Sequence, residues 1–168
     1  MVGVVPNAAY RHFAGRDELL AAVCAAAMCE LADRMAAGVA RVSGPHGDPA
    51  AAGARLNAIG VAYLEFAHEE PGLFATAFAL PQQHAYGAPD ARSGRDRTPL
   101  GQLRTVLDEL VDAGVLSPQR RDGIEDPIWS AVHGLAVLTG PGPLRGVPDA
   151  TRRRLENLTL AFIGEGLT

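Results

Sequence analysis

Residues 17–42 read DELLAAVCAAAMCELADRMAAGVARV, and this stretch decides the fold class of the chain. Its larger apolar side chains recur at spacings of three and four, which is the period of one face of an α-helix. They are Leu20, Val23, Ala27, Leu31, Met35, Val39 and Val42. Asp17 and Glu18 stand at the start, where acidic side chains complement the helix dipole. The stretch predicts a long helix that ends at residues 43–45, Ser-Gly-Pro.

The same apolar period returns twice in the middle of the chain. A second predicted helix carries Leu56, Ile59, Tyr63 and Phe66 and ends within residues 69–72. A third predicted helix carries Leu100, Leu103, Val106, Leu107 and Leu110 and ends near Gly114. Between them lie a short apolar piece, residues 73–80, and a polar segment, residues 81–98, rich in Pro, Gly and Arg. That composition is typical of a mobile loop.

Two more helices are predicted near the C-terminus. Asp126 and Pro127 match a helix start, with an acidic cap followed by proline at the first helical position. The apolar helix that follows covers residues 128–139 and ends at Gly140, and a last helix begins at Asp149. Ala supplies 30 of the 168 residues, and no stretch alternates with the period of a strand. The predicted fold class is therefore all-α.

Length and charge limit the possible functions. A chain of 168 residues fits one domain, and a net charge of −4 excludes a generally basic nucleic-acid coat. Residues 1–16 nevertheless contain Arg11 and Arg16 and no acidic residue, which favours a local anion-binding end. The longest apolar run, residues 128–140, is too short to span a bilayer. We expect a cytoplasmic protein that does not contact a membrane.

Motifs of catalysis and metal binding are missing from the sequence. It contains no G-x-S-x-G, H-E-x-x-H, C-x-x-C or phosphate-binding glycine loop. Cys24 and Cys29 would lie about 140° apart on a helix, so they neither pair nor share a metal, and we expect both to be buried thiols. We therefore expect no enzyme activity, no cofactor and no metal.

Trp129 and His133 are four residues apart, hence neighbours on one face of an apolar helix. They have two interpretations: a tryptophan and a hydrogen-bonded histidine of an ordinary core, or a polar group in an apolar pocket for a small molecule. The same two interpretations apply to other large side chains of the predicted helices. The candidate ligand-binding residues are Tyr63, Phe66, Phe74, Phe78, Leu103, Leu107, Trp129 and His133.

The most specific signal is residues 6–20, PNAAYRHFAGRDELL. This segment resembles the end of the helix-turn-helix in TetR-family transcriptional regulators, from the recognition helix into the connecting helix. The family pattern has a Gly-Val-Ser-Pro opening, a Leu-Tyr-x-His-Phe core and a basic residue three positions beyond the Phe. The matching residues are Gly3, Val4, Pro6, Tyr10, His12, Phe13 and Arg16.

The remainder of the chain resembles the ligand-binding body of the same family. Residues 70–74, EPGLF, resemble the entry to its sixth helix, and residues 113–116, AGVL, resemble the end of its seventh. Trp129 with residues 132–136, VHGLA, resembles the eighth helix of the subgroup named for a Trp-His-Gly motif. The resemblance implies two parts: residues 1–16, the remnant of a DNA-binding head, and residues 17–168, a TetR-type ligand-binding and dimerisation domain.

The resemblance also implies how DNA would be contacted. A recognition helix presents its N-terminal side chains to base edges in the major groove. This places Asn7 and Ala8 against bases, whereas the other candidates contact phosphates or add positive charge near them. These other candidates are Tyr10, Arg11, His12 and Arg16.

Two departures from the family pattern bear on DNA binding. Val5 stands where the family has a capping serine, which removes a cap worth about 1 kcal/mol. The motif also begins with the first residue, so the first two helices of the head are not in this sequence. We expect the chain as written to bind operator DNA poorly, whether a start codon was misplaced, the chain is truncated or the protein is a headless relative.

The function implied by the resemblance is ligand-controlled repression by a homodimer. A small apolar effector enters the body and changes the spacing of the two heads, so that they no longer match operator DNA. The predicted dimer surface comes from the last two helices and contains Ala136, Gly140, Leu155, Leu158 and Phe162. The alternative is a headless helical protein that binds a small molecule or a protein partner without binding DNA; a small helical enzyme is a third, weaker possibility.

Overall fold

The computed structural model describes residues 13–79 and 96–167, which form six α-helices and no strand. In chain order they are α1 (Arg16–Ala40), α2 (Pro49–Glu69), α3 (Pro71–Ala77), α4 (Pro99–Asp112), α5 (Glu125–Thr139) and α6 (Asp149–Glu165). One turn of 3-10 helix, Pro118–Arg120, lies between α4 and α5. The all-α prediction is confirmed. Most of the predicted loop at residues 81–98 lies outside the described residues.

Side-chain caps explain where two of the helices begin. The Asp48 carboxylate accepts a hydrogen bond from the Ala51 amide at 2.8 Å at the start of α2. The Thr98 hydroxyl accepts one from the Gly101 amide at 3.1 Å at the start of α4. Each cap is followed by proline at the first helical position, where the missing N–H has no intrahelical partner to lose.

Two predicted boundaries differ from the structure. The first helix ends at Ala40 instead of Ser43, because the amides of Arg41 and Val42 bond to carbonyls three residues earlier and close the last turn. The short apolar piece after α2 contains a helix of its own, α3, whose first residue is Pro71.

Helix α5 begins two residues before Pro127, the predicted first helical residue. Asp126 is not the cap; it lies in the first turn of a helix whose first residue is Glu125. Glu125 is 7% exposed, and its carboxylate accepts hydrogen bonds from Arg104 at 2.8 Å and from Arg121 at 3.0 Å. We call Glu125, Arg104 and Arg121 the ion cluster; it ties the start of α5 to α4 and to the chain after the 3-10 turn.

Helix α2 is central and packs against each of the other five helices. Two glycines mark close approaches between helices. A side chain at Gly38 would lie 3.2 Å from the Ala58 carbonyl oxygen, so α1 and α2 come together there. A side chain at Gly60 would collide with Leu160, so α6 crosses α2 at that glycine. Most of the buried apolar side chains belong to one core cluster, and Ala27, Met28 and Ala77 form a second, small one.

The two cysteines lie in different environments. Both thiols are free, and Cys24 is buried, with its Sγ 2.9 Å from the Thr76 carbonyl oxygen. Cys29 is exposed, so the expectation that both are buried is wrong for this residue. The apolar stripe of α1 covers one face only, and Cys29 lies on the other.

Candidate ligand cavity

A cavity of about 260 Å³ lies inside the helical body. Its wall is built from α1, α2, α4, α5 and α6, together with Phe78, the residue that follows α3. Met28 and Met35 contribute from α1, and Leu160 and Ile163 contribute from α6. Since five helices share the wall, a molecule bound there would contact most of the elements that hold the body together.

Half of the eight predicted ligand-binding residues line this cavity. They are Tyr63, Phe78, Leu103 and Trp129. Tyr63 comes from α2, Leu103 from α4 and Trp129 from α5, so the structure brings together side chains that are far apart in the sequence.

The other four predicted residues are absent from the cavity wall. Phe66 and Leu107 are fully buried, and Phe74 is 5% exposed; all three fill the core. His133 does not line the cavity, but its Nδ1 lies 2.8 Å from the hydroxyl of Tyr63, which does. For these residues the ordinary-core interpretation describes the packing, although His133 still acts on the wall through Tyr63.

Three polar side chains form a hydrogen-bonded chain at the cavity wall, and we call it the Tyr63 network. The Trp129 Nε1–H donates to the Tyr63 hydroxyl at 3.2 Å, and that hydroxyl lies 2.8 Å from His133 Nδ1. An indole N–H is a donor only, so the Tyr63 oxygen is the acceptor in the first bond. With neutral His133 carrying its proton on Nε2, Tyr63 donates to the lone pair on Nδ1.

Burial keeps the network uncharged. Burial raises the pKa of Tyr63 above its ordinary value, and the hydrogen bond from Trp129 opposes this only in part. Burial also lowers the pKa of His133, because a charged imidazolium loses hydration there. Near neutral pH the two groups are therefore phenol and neutral imidazole.

Aromatic rings hold the network in place. The His133 ring packs edge-on against Phe78, with ring centroids 4.7 Å apart, and its centroid lies 5.4 Å from that of Phe74. Tyr63 meets Phe74 in a T-shaped contact at 5.7 Å. Such edge-to-face arrangements are the preferred geometry of aromatic pairs, and they fix the direction of the Tyr63 side chain.

The cavity wall has little polarity apart from this network. Among the described residues that line it, none is charged, and Asn57 is the other side chain with a strong hydrogen-bonding group. Gly53 and Asn57 on α2 are exposed, as are the lining residues Ala161 and Gly164 on α6, and we call the part of the cavity beside Gly53 and Asn57 its open end. A charged ligand buried in such a space would lose its hydration without gaining an ion partner.

Sequence reasoning missed the contributions of α1 and α6 to the wall. Met35 belongs to the predicted apolar stripe of α1 and Met28 does not, and the period alone does not say which part of a helix face borders a void. Leu160 was not a candidate, although its contact with Gly60 brings α6 onto α2. A glycine inside a strongly helical stretch was the available signal for that close approach.

The structure describes one of the six predicted DNA-binding residues. Asn7, Ala8, Tyr10, Arg11 and His12 lie outside the described residues, and Arg16 is the exposed first residue of α1. Both the DNA contacts and their expected weakness stay predictions.

The predicted dimer residues fall into two groups. Leu158 and Phe162 are 56% and 73% exposed and lie one turn apart on α6. Leu155 packs partly against the core and Gly140 ends α5, while Ala136 is 3% exposed. The placement of Ala136 on an outer surface therefore needs correction, because its face of α5 packs inward.

Exposed apolar side chains are also present on α5. Val137 and Leu138, which sequence reasoning did not single out, are exposed on the outer face of α5. With Leu158 and Phe162 they form what we call the outer apolar face. Exposed large apolar side chains are candidates for contact with another protein.

Comparison with protein families identifies the class. Residues 56–162 match the family described as Tetracyclin repressor-like, C-terminal domain. This is well over half of the chain, and it includes α3, α4 and α5 and most of α2 and α6. The chain belongs to this family, whose members are regulators rather than enzymes. No curated protein and no solved structure gives a significant match.

Two further findings concern membranes and metals. None of the helices that the structure describes combines the length and apolar character needed to cross a bilayer. In residues 13–79 and 96–167, no three His, Cys, Asp or Glu side chains are grouped so that they could hold a metal ion.

Proposed function

We propose that the chain is a ligand-responsive transcriptional regulator of the TetR type, whose effector is a small, mostly apolar molecule. The observation that carries this proposal is the cavity of about 260 Å³, most of whose lining residues lie within the matched range 56–162. A void of this size costs stability when empty, because its wall loses packing contacts. A ligand that fills it would recover those contacts.

Helix α1 connects the cavity to the other end of the molecule. Met28 and Met35 line the cavity, and the N-terminal end of the same helix follows the segment predicted to contact DNA. A ligand that displaces α1 would move that segment. To act as a switch it must bind one arrangement more tightly than the other, since equal affinities shift nothing.

The regulator is proposed to act as a homodimer. C-terminal domains of this family typically dimerise, and the outer apolar face offers a surface for it on α5 and α6. Leu158 and Phe162 would form its centre, with Leu138 beside them. Sedimentation of the wild-type chain at tens of micromolar should give a dimer, whereas Phe162→Glu should give a monomer. A wild-type monomer at that concentration would contradict the assignment.

Ligand binding can be followed with the protein's own fluorescence. Trp129 is the sole tryptophan and lies in the cavity wall, so a bound ligand should shift or quench its emission. We expect a saturable response to apolar molecules such as 1-nonanol, and a higher unfolding temperature in their presence.

A pair of matched variants tests whether the cavity is responsible. Val132→Phe adds bulk at a cavity-lining position, whereas Val23→Phe adds the same bulk at an exposed position on α1. We expect Val132→Phe to weaken the fluorescence response at least fivefold and Val23→Phe to leave it unchanged. Equal responses in both variants would place the binding elsewhere and remove the support for the proposal.

The regulatory output needs a DNA experiment. When random DNA duplexes are selected for binding to the protein, sequences with two related half-sites should be enriched, as a symmetric dimer requires. A ligand identified by fluorescence should then release the selected DNA. If the ligand binds and no DNA is ever enriched, the alternative of a helical ligand-binding protein without DNA binding replaces the regulator.

A further inference from the structure

We propose that the cavity selects an uncharged, elongated amphiphile whose hydroxyl-type head donates a hydrogen bond to the Tyr63 oxygen. The inference rests on the proposed function, because it names the chemical class of effector that the same cavity would take. Shape, charge and hydrogen-bonding capacity of the wall each support it independently.

The shape of the cavity favours a chain over a broad ring system. Gly53 and Tyr63 both line it and are ten residues apart on α2, which corresponds to about 15 Å along the helix. An engineered cavity of about 150 Å³ holds one benzene molecule, so about 260 Å³ leaves room for roughly ten non-hydrogen atoms. Roughly ten atoms over that length describe a medium-length chain.

The charge of the wall excludes ionised heads. Its described residues contain no Lys, Arg, His, Asp or Glu, so a buried carboxylate or ammonium would have no ion partner. A neutral alcohol and the corresponding carboxylate share the same apolar body. They should therefore differ in affinity through the head alone.

The Tyr63 network determines which uncharged head group of a ligand can form a hydrogen bond there. With the His133 proton on Nε2, the Tyr63 hydroxyl donates its single proton to His133 Nδ1 and accepts one hydrogen bond from Trp129. Its remaining capacity is a lone pair, which accepts but cannot donate. A head that meets this oxygen must therefore bring a proton, as a hydroxyl does and an ether does not. His133 acts as a positioning residue, because it fixes the direction of the Tyr63 proton.

The opposite end of the cavity is suited to entry. Asn57 and Gly53 are exposed, whereas Tyr63 is 4% exposed. A chain that enters head first would pass the apolar wall of Leu56 and Ile59 before its head reaches Tyr63. The tail would then remain close to the open end.

Three probes of equal length test the class of ligand by isothermal titration calorimetry on the full chain. They are 1-nonanol, its isomer 1-methoxyoctane, which lacks the donor, and nonanoate, which is charged at neutral pH. One hydrogen bond contributes on the order of 0.5–1.5 kcal/mol, so we expect nonanol to bind about three- to tenfold more tightly than methoxyoctane. Nonanoate should bind at least tenfold more weakly than nonanol.

Two variants test which end of the cavity binds the polar head of the ligand. Tyr63→Phe removes the acceptor and should lower the affinity for nonanol to that for methoxyoctane. Affinity for methoxyoctane itself should stay within about twofold, which also shows that the cavity has kept its shape. Asn57→Ala changes the polar group at the open end and should preserve the preference for the alcohol.

The outcomes separate this inference from the proposed function. If none of the three probes binds, the ligand cavity and the proposed function both lose their support. If nonanol and methoxyoctane bind equally well, the cavity stands and the hydroxyl-type head is wrong. Tight binding of nonanoate would overturn the exclusion of charge. Loss of the preference in Asn57→Ala but not in Tyr63→Phe would place the head at the open end and refute the assignment to Tyr63.

Discussion

Two polar clusters lie one after the other on the same helix and satisfy their hydrogen bonds in different ways. Glu125, Trp129 and His133 are spaced by four residues along α5, so they follow one side of it. Glu125 belongs to the ion cluster, where two guanidinium groups surround one carboxylate. Trp129 and His133 belong to the Tyr63 network, where every group is neutral.

The two clusters differ in whether a hydrogen-bonding position remains unused. Burial alone would raise the pKa of Glu125, but hydrogen bonds from Arg104 and the charge of Arg121 hold it below its ordinary value. The carboxylate is thus ionised, and each of its oxygens has a partner at hydrogen-bond distance. Among the described residues the Tyr63 oxygen has two hydrogen-bond partners, which leaves one lone pair unused, and Tyr63 lines the cavity. A saturated cluster fixes the fold, whereas an unsaturated one can bind a ligand.

The largest effect should come from breaking the ion cluster. Glu125→Ala leaves Arg104 and Arg121 without their shared carboxylate, and removal of one partner from a buried pair costs several kcal/mol. Because Arg104 is 43% exposed, we expect a smaller loss, about 2–3 kcal/mol, in the free energy of unfolding measured with urea.

A matched control separates the buried carboxylate from acidic charge in general. Asp122→Ala removes an exposed acid three residues earlier and should change stability by less than about 0.5 kcal/mol. Equal losses in the two variants would show that the ion cluster does not hold the start of α5.

A smaller effect is expected from the neutral network. Tyr63→Phe deletes one hydroxyl and with it two hydrogen bonds, so we expect a loss of about 1–2 kcal/mol in the free energy of unfolding. If this variant retains most of its stability while it loses the preference for alcohols, the Tyr63 network contributes more to ligand binding than to the fold. A loss as large as that of Glu125→Ala would mean that the network serves the fold first.

Acid should weaken the fold through His133, by less than either substitution. Its folded pKa lies below its ordinary value of 6.5, so between these two values the unfolded chain binds more protons. Stability from this group is therefore complete above pH 6.5 and falls as the pH decreases. Urea midpoints at pH 7.5 and 5.5 should differ more for the wild type than for His133→Asn. Identical pH dependence would exclude a contribution from His133.

The smallest effect should be the response to salt. The ion cluster includes the partly exposed Arg104, so 0.5 M NaCl should reduce the cost of Glu125→Ala by about 0.5 kcal/mol through screening. The cost of Tyr63→Phe should not change, because the groups involved carry no charge. A salt-sensitive Tyr63→Phe would indicate that the network is ionised.

Local sequence signals predicted the helices well where the decisive contacts are local. The caps at Asp48 and Thr98 act within three residues, and both helices begin where these side chains place them. The start of α5 was predicted incorrectly, because Asp126 and Pro127 imitate a cap. The residue that fixes this start, Glu125, depends on Arg104, which is 21 residues away.

The cavity was predictable in part for a similar reason. Residue type and period identify large apolar side chains on inward faces, and this was enough to select Tyr63 and Trp129. The same criteria also selected Phe66 and Leu107, which fill the core, because both kinds of position are apolar and inward-facing. Which of them borders a void depends on how α6 crosses α2 at Gly60; the glycine signals a close approach, but the sequence of α2 does not say which helix makes it.

Helix α6 contributes to two surfaces. Leu160 and Ile163 line the cavity, while Leu158 and Phe162 are exposed to solvent. If a second subunit binds to that outer side, ligand binding in the cavity and dimerisation become thermodynamically linked through helix α6. Filling the void would then alter the monomer–dimer equilibrium, and dilution of the protein would, by reciprocity, alter the apparent strength of binding.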